Sequence, residues 1–163
     1  TQYKIASSAN VKTIPVVVHI IHNNGTENIA DAQVIDAIVQ LNEDFRKMPN
    51  TPGFGNGADA EVQFQLATID PNGNCTNGIV RVQSPLTVQN GWGPSSDELP
   101  MKNLSRWPND RYLNVWIVKC IVGPCSPSLS GQILAYAYLP TWVAGTWPTY
   151  DALDGIVIRN GHL

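Results

Sequence analysis

Apolar positions along the chain follow two periods. Ile14-Pro-Val-Val-Val-His-Ile-Ile-His22 is an almost continuous apolar run rich in β-branched residues. Such a run predicts a strand buried on both faces, as in parallel sheets. Asn23-Asn-Gly25 closes it with turn chemistry. From Asp31 to Lys47 the period changes. Val34, Ile38, Leu41 and Phe45 recur at four, three and four residues and make one stripe of a helix. Asp31 suits the N-cap, Arg46 and Lys47 suit the negative end of the helix dipole, and Pro49 and Pro52 prevent continuation. Val62-Gln-Phe-Gln-Leu-Ala67 alternates, as a strand with one wetter face does. Ile79-Val-Arg-Val82 reads as a short strand, and Pro85 to Pro100 as irregular chain. Met101, Leu104 and Trp107 fall at three-residue steps and predict one or two helical turns between Asp97 and Trp107. Three more strands follow, at Leu113–Ile121, Ile133–Pro140 and Gly155–Asn160.

Strand, helix, strand favours a right-handed crossover and parallel pairing. A mostly parallel sheet needs cover on both faces, and the sequence offers one strong helix. Strands 14–22, 113–121 and 155–160 are apolar enough to need two covers. The expectation is that the second face is closed by something beyond Leu163 or by a partner.

Composition narrows the function classes. The chain has 163 residues, 43% of them hydrophobic and 14% charged, with net charge −3. The charged fraction is low against roughly 25% in ordinary globular proteins. No basic patch argues for nucleic acid or an anionic membrane, and no apolar run approaches the ~20 residues that span a bilayer. The start lacks a signal peptide, which suggests processing or trimming. Cys75, Cys120 and Cys125 match no metal-binding spacing. Cys120 and Cys125 could close a small loop at a strand end, as suits an oxidising compartment, leaving Cys75 without a partner in this chain. Three buried thiols is the alternative. Asn24, Asn74 and Asn103 stand in glycosylation sequons.

Candidate chemistry is sparse. His19 and His22 are three apart on a strand, point to opposite faces, and read as structural histidines. His162 has no second ligand near it in sequence. The Ser126–Ser130 stretch lacks a nucleophile-elbow pattern. Glu43, Asp44, Asp59 and Glu61 read as a solvated helix end and loop, and Asp151 and Asp154 as turn or capping residues. No complete catalytic set is present. Trp142, Trp147 and Tyr150 lie in a Pro/Gly-rich loop and either line a ligand groove or pack over the sheet edge.

Several segments in order carry a resemblance over almost the whole chain. They are Ile14-Pro-Val-Val-Val-His19, Asp31-Ala-Gln33 leading into Leu41-Asn-Glu-Asp-Phe-Arg46, Asp70-Pro-Asn-Gly73, Thr76-Asn-Gly-Ile79, Tyr112-Leu-Asn-Val-Trp116, Ala135-Tyr-Ala-Tyr-Leu-Pro140 and Asp154-Gly-Ile-Val-Ile158. Together they resemble the N-terminal half of the pappalysin (cytophagalysin/ulilysin) branch of the metzincin zinc endopeptidases. The resemblance implies an α/β (α+β) upper subdomain spanning residues 1–163. Its twisted, mostly parallel five-stranded sheet would carry one antiparallel edge strand and a backing helix. In that family the strand like Asp154–Ile158 precedes the helix with H-E-x-x-H-x-x-G-x-x-H, whose histidines hold zinc and whose glutamate activates water. That motif and the Met-turn are not in this sequence, so no catalytic or metal residue carries over. Zinc belongs to the complete enzyme, with ligands expected downstream of Leu163, and calcium sites of some members would fall in the same absent half.

One functional element does carry over. The strand like Ile133–Leu139 resembles the edge strand that pairs with an extended peptide substrate. It nominates Leu134, Ala135, Tyr136, Ala137 and Tyr138 as substrate-binding. The implied protein is part of a secreted zinc metalloendopeptidase acting on peptides or proteins, and this chain is expected to be inactive alone. The rival reading is a non-catalytic peptide- or carbohydrate-binding module that uses the same open edge with the Trp142/Trp147 loop.

Overall fold

A computed structural model describes residues 11–91, 96–122, 133–138 and 152–163. The long apolar run forms β1 (Lys12–His22), whose residues from Val16 onward are all buried. The helix α1 (Asp31–Phe45) follows, then β2 (Val62–Leu66). Both β1–β2 and β1–β5 are parallel, where β5 is Leu113–Val118. A second short strand, β3 (Ile79–Gln83), pairs with the C-terminal half of β1, from Val18 to His22. It therefore continues the column that β2 begins along Lys12–Val16.

The column changes hands at Gly78. Its backbone has φ +72°, its carbonyl accepts from Val18 N, and a Cβ there would lie 2.7 Å from Ala67 N. Only glycine takes that conformation with no room for a side chain. The remaining strands are β4 (Val88–Gln89), β6 (Cys120–Ile121), β7 (Ala135–Ala137) and β8 (Ile156–Arg159). The main sheet runs β2-β1-β5-β8-β7, with β3 beside β1. Counted in columns it is five strands wide. All its pairs are parallel except β7–β8, the antiparallel edge. This matches the architecture expected from the sequence.

Two details differ. The helix begins one residue earlier than its acidic signal. Ala30 sits at the N-cap, and the Gln33 side chain accepts from Ala30 N (3.2 Å). Asp31, one step inside, is ion-paired with Arg81 of β3. The strand expected over 113–121 divides at Lys119, whose N–H donates to Thr87 O (2.9 Å), so that Cys120–Ile121 can pair with β4 in a second, two-stranded sheet. The expected helical turns are α2 (Glu98–Asn103).

The cover of the sheet also differs from expectation. On one face Val16, Val18, Ile20, Val115 and Ile117 form an apolar core with Val34 of α1 and Phe64 of β2. On the other, Ile21, Trp116, Val118 and Val157 pack with Met101 of α2 and Ile121. The second face thus receives cover from within the described chain, from the expected helical turns of α2 and from Ile121. Among the described residues the incomplete cover lies on the helix face. Beside α1 a cleft of about 300 Å³ opens over β5 and β8, lined by Ile38, Leu41, Phe45, Leu113, Ile156 and Ile158 among others. One helix cannot span five columns, so an apolar surface is left beside it.

Candidate functional site

Of the nominated residues, Leu134–Tyr138 are described, whereas Trp142, Trp147 and Tyr150 lie outside the described residues, as do Ser126–Ser130, Asp151 and Cys125. Cys75 is exposed and Cys120 buried.

The strand β7 ends the sheet order, pairing Ala135 with Ile158, Tyr136 with Val157 and Ala137 with Ile156. Arg159 N donates to Leu134 O (2.9 Å), which makes Leu134–Arg159 a hydrogen-bonded pair. Antiparallel ladders alternate hydrogen-bonded and non-hydrogen-bonded pairs. Tyr136–Val157 is then the next bonded pair. Ala135 and Ala137 sit in non-bonded pairs, with their N–H and C=O groups directed away from β8. Their side chains are exposed on the helix face of the sheet, beside Ile158 and Ile156.

The opposite sheet edge is treated differently. At β2 the Asn42 side chain of α1 reaches over and pairs with the outward backbone of Phe64. Its Nδ2 donates to Phe64 O (2.8 Å), and its Oδ1 accepts from Phe64 N (2.7 Å). This amide blunts the strand at the point where another strand would add.

Behind β7 lies a polar cluster. Tyr136 and Tyr138 point to the face opposite the alanines, with ring centroids 5.9 Å apart. Tyr138 Oη donates to Glu98 Oε2 (2.8 Å), and Tyr136 Oη donates to Gln89 Oε1 (3.3 Å). Burial and the neighbouring Glu98 carboxylate push the Tyr136 hydroxyl far above its ordinary range, so it stays protonated. Glu98 and Lys102 of α2 are fully buried and ion-paired at 2.8 Å. The Lys102 ammonium also donates to Leu153 O and lies over the rings of Trp116, Tyr138 and Tyr136 at 4.8, 5.3 and 5.7 Å. Desolvation lowers its pKa, and Glu98 opposes that shift.

His19 belongs to the same face of the sheet. Asn114 Nδ2 donates to Trp107 O (3.0 Å) and its Oδ1 accepts from Trp107 N (2.9 Å), which turns Oδ1 toward His19 Nε2 at 2.9 Å. The imidazole stacks on Trp116 (5.0 Å, 19°). Burial pulls its pKa down to about 4 against the raising effect of Asn114, so it is neutral at pH 7 with the proton on Nε2. His22 lies on the other face, and its Nδ1 accepts from Asn24 N (3.3 Å). Asp154 Oδ1 accepts from Gly155 N (2.8 Å), and Asp59 pairs with Arg46 (3.0 Å).

Among the described residues no group of three or more His, Cys, Asp or Glu side chains is placed to hold a metal ion. His19 and His22 are separated by the sheet, and His19 spends its one N–H on Asn114. These residues do not fit a zinc site. No described helix is long and apolar enough to cross a membrane.

Asn114 could have been noticed as the one amide inside an apolar strand. Nothing in Glu98-Leu-Pro-Met-Lys102 distinguishes a buried ion pair from a solvated helical turn.

No protein-family model matches the chain. Among solved structures, a promirolysin mutant of Tannerella forsythia is 38% identical, with a TM-score of 0.70 over 95% of this chain and 48% of that one. Mature mirolysin of the same organism, in complex with a cleaved peptide, is 38% identical, with a TM-score of 0.68 over 94% and 54%. The chain fits the N-terminal part of a pappalysin-family metzincin protease. An extracellular metalloprotease of Verticillium alfalfae agrees, at 29% identity over 131 residues, 80% of this chain and 34% of that protein. The chain spans about half of the mirolysin chains and a third of the fungal protein. It is thus a metalloprotease-related domain with the sheet of the mirolysin fold.

Proposed function

We propose that this chain is the upper, substrate-aligning subdomain of a secreted zinc metalloendopeptidase, and that an extended peptide adds to β7 as a further antiparallel or parallel strand. The observation that carries this reading is the phase of the β7–β8 ladder: the backbone groups of Ala135 and Ala137 are directed away from β8, and among the described residues no side chain caps them as Asn42 caps Phe64. Strand addition supplies affinity through main-chain hydrogen bonds that are indifferent to side chain. The small methyl groups of Ala135 and Ala137 keep that edge clear, as Leu134 and the two tyrosines frame it. Mature mirolysin has been solved with a cleaved peptide, which supports a peptide as the occupant.

Zinc and the general base belong, in this reading, to sequence following Leu163. They supply the polarised water for hydrolysis, and residues 1–163 do no more than hold and align substrate. The extracellular name of the fungal relative supports secretion.

A binding experiment tests the edge directly. A peptide bound to the protein should lose affinity about 3–10-fold when Ala137→Pro deletes one outward N–H, the value of about one hydrogen bond. Unchanged affinity in Ala135→Pro and Ala137→Pro would exclude strand addition here. Zinc-dependent peptide turnover by residues 1–163 alone would overturn the division of labour.

A further inference from the structure

We propose that Lys102 is the positioning residue of the edge strand: its buried ammonium, enclosed by Trp116, Tyr136 and Tyr138, fixes which face of β7 turns inward and so which backbone groups face outward. The orientation of β7 follows from the geometry of this cage. Its consequence for substrate rests on the strand-addition reading above.

The strand β7 is short, with three paired residues. Its ladder is too small to choose its own phase, and a one-residue slip of any strand sends every side chain to the other face. The alternation Leu134-Ala-Tyr-Ala-Tyr138 does not resolve the choice, because both faces of the sheet offer apolar neighbours. Lys102 does resolve it. Its side chain has no exposed surface, and its ammonium meets one carboxylate, one carbonyl (Leu153 O) and the faces of three rings. Lysine is almost never fully buried without such partners.

Slip β7 by one residue and Ala135 and Ala137 stand behind the strand. The ammonium then loses two of its three rings, and Glu98 loses the Tyr138 hydroxyl. The cage also spans the elements that must agree for β7 to be placed. Glu98 and Lys102 come from α2, Trp116 from β5, Leu153 from the approach to β8, and the tyrosines from β7 itself. A buried ion pair contributes little to net stability compared with an apolar substitute, and specifying one arrangement is the use to which such a pair is suited.

The test compares local with global effects in the purified protein. The variants are Lys102→Met, the charge-free double variant Glu98→Gln/Lys102→Met, and the ring variants Tyr136→Leu and Tyr138→Leu. Amide hydrogen exchange is read at Tyr136 of β7 and at Val17 and Ile20 of β1. The expected result is exchange at least tenfold faster at Tyr136 than in the parent, with β1 protection within twofold. For any peptide the parent protein binds, dissociation constants should rise about tenfold. Where turnover is measurable, KM should rise with kcat little changed. The double variant should recover melting temperature without recovering either β7 protection or affinity.

Parent-like exchange at Tyr136 in the double variant, or equal loss of protection in β1 and β7, would overturn the proposal. If Lys102→Met does not fold, the ring variants decide the matter by the same readout. If the parent binds no peptide, strand addition falls while the exchange comparison still decides the cage.

Discussion

The two faces of the sheet hold the same strands by different chemistry. Under α1, β1 and β5 contribute Val16, Val18, Ile20, Val115 and Ile117, which form an apolar core. One residue along each strand, the other face presents His19, Asn114 and Trp116, and α2 brings the Glu98–Lys102 pair to it, with Lys102 over the Trp116 ring. Apolar packing is non-directional, so that face tolerates more than one partner and leaves a cleft beside the helix. Hydrogen bonds and ion pairs are directional. The polar face therefore places irregular chain that has no helix or sheet to place it. Asn114 brackets the backbone of Trp107, and Lys102 gathers Leu153 and the tyrosines of the edge strand. The face with the weaker claim to stability has the stronger claim to shape.

The contrast can be broken by mutation. The largest effect is expected for Glu98→Ala, which leaves Lys102 charged and buried without its counter-ion. About 3–5 kcal/mol should be lost in denaturant unfolding. Adding Lys102→Met should recover part of that loss, because groups in one network are not additive. A full additive loss would show that the pair is not coupled.

The next effect is the pH dependence that His19 brings to the polar face. The folded His19 binds its proton with a pKa of about 4 instead of 6.5. Between these values the unfolded chain holds more protons, so stability rises with pH. It is complete above pH 6.5 and declines as pH falls to about 4, by about 3 kcal/mol at ~1.4 kcal/mol per pH unit. Unfolding of the parent and of His19→Gln across this range should diverge. Parallel curves would remove His19 as the cause.

On the apolar face, Ile117→Val should cost about 1 kcal/mol with no pH dependence between 4 and 7. The smallest stability effect is expected at the backbone groups of β7 that point away from β8. Ala137→Pro deletes an N–H that the β8 ladder does not use, so its melting temperature should stay within a few degrees of the parent. Tyr136→Pro deletes one that the ladder does use, and should unfold at clearly lower temperature. Equal effects would show that the ladder phase is reversed.

The sequence by itself determined the order and type of the main elements. The apolar run of β1, the four-three-four stripe of α1 and the alternation of β2 each rest on neighbours within a few residues, which is why periodicity exposes them. The segments shared with pappalysins added the antiparallel edge. What the sequence left open depends on residues far apart. Glu98 and Lys102 are four apart on a short polar helix, where a solvated pair is the ordinary outcome. They are buried only because Trp116, Tyr136 and Tyr138 arrive from later strands. That the short helix α2 covers the second face was not legible, because directed bonds from Asn114 and Lys102 to distant backbone hold that part of the chain in place. The alternation Ala-Tyr-Ala-Tyr names two faces for β7 but cannot say which is inward. The bond from Arg159 N to Leu134 O and the cage around Lys102 decide that, since register is a relation between strands and only folding brings the strands together.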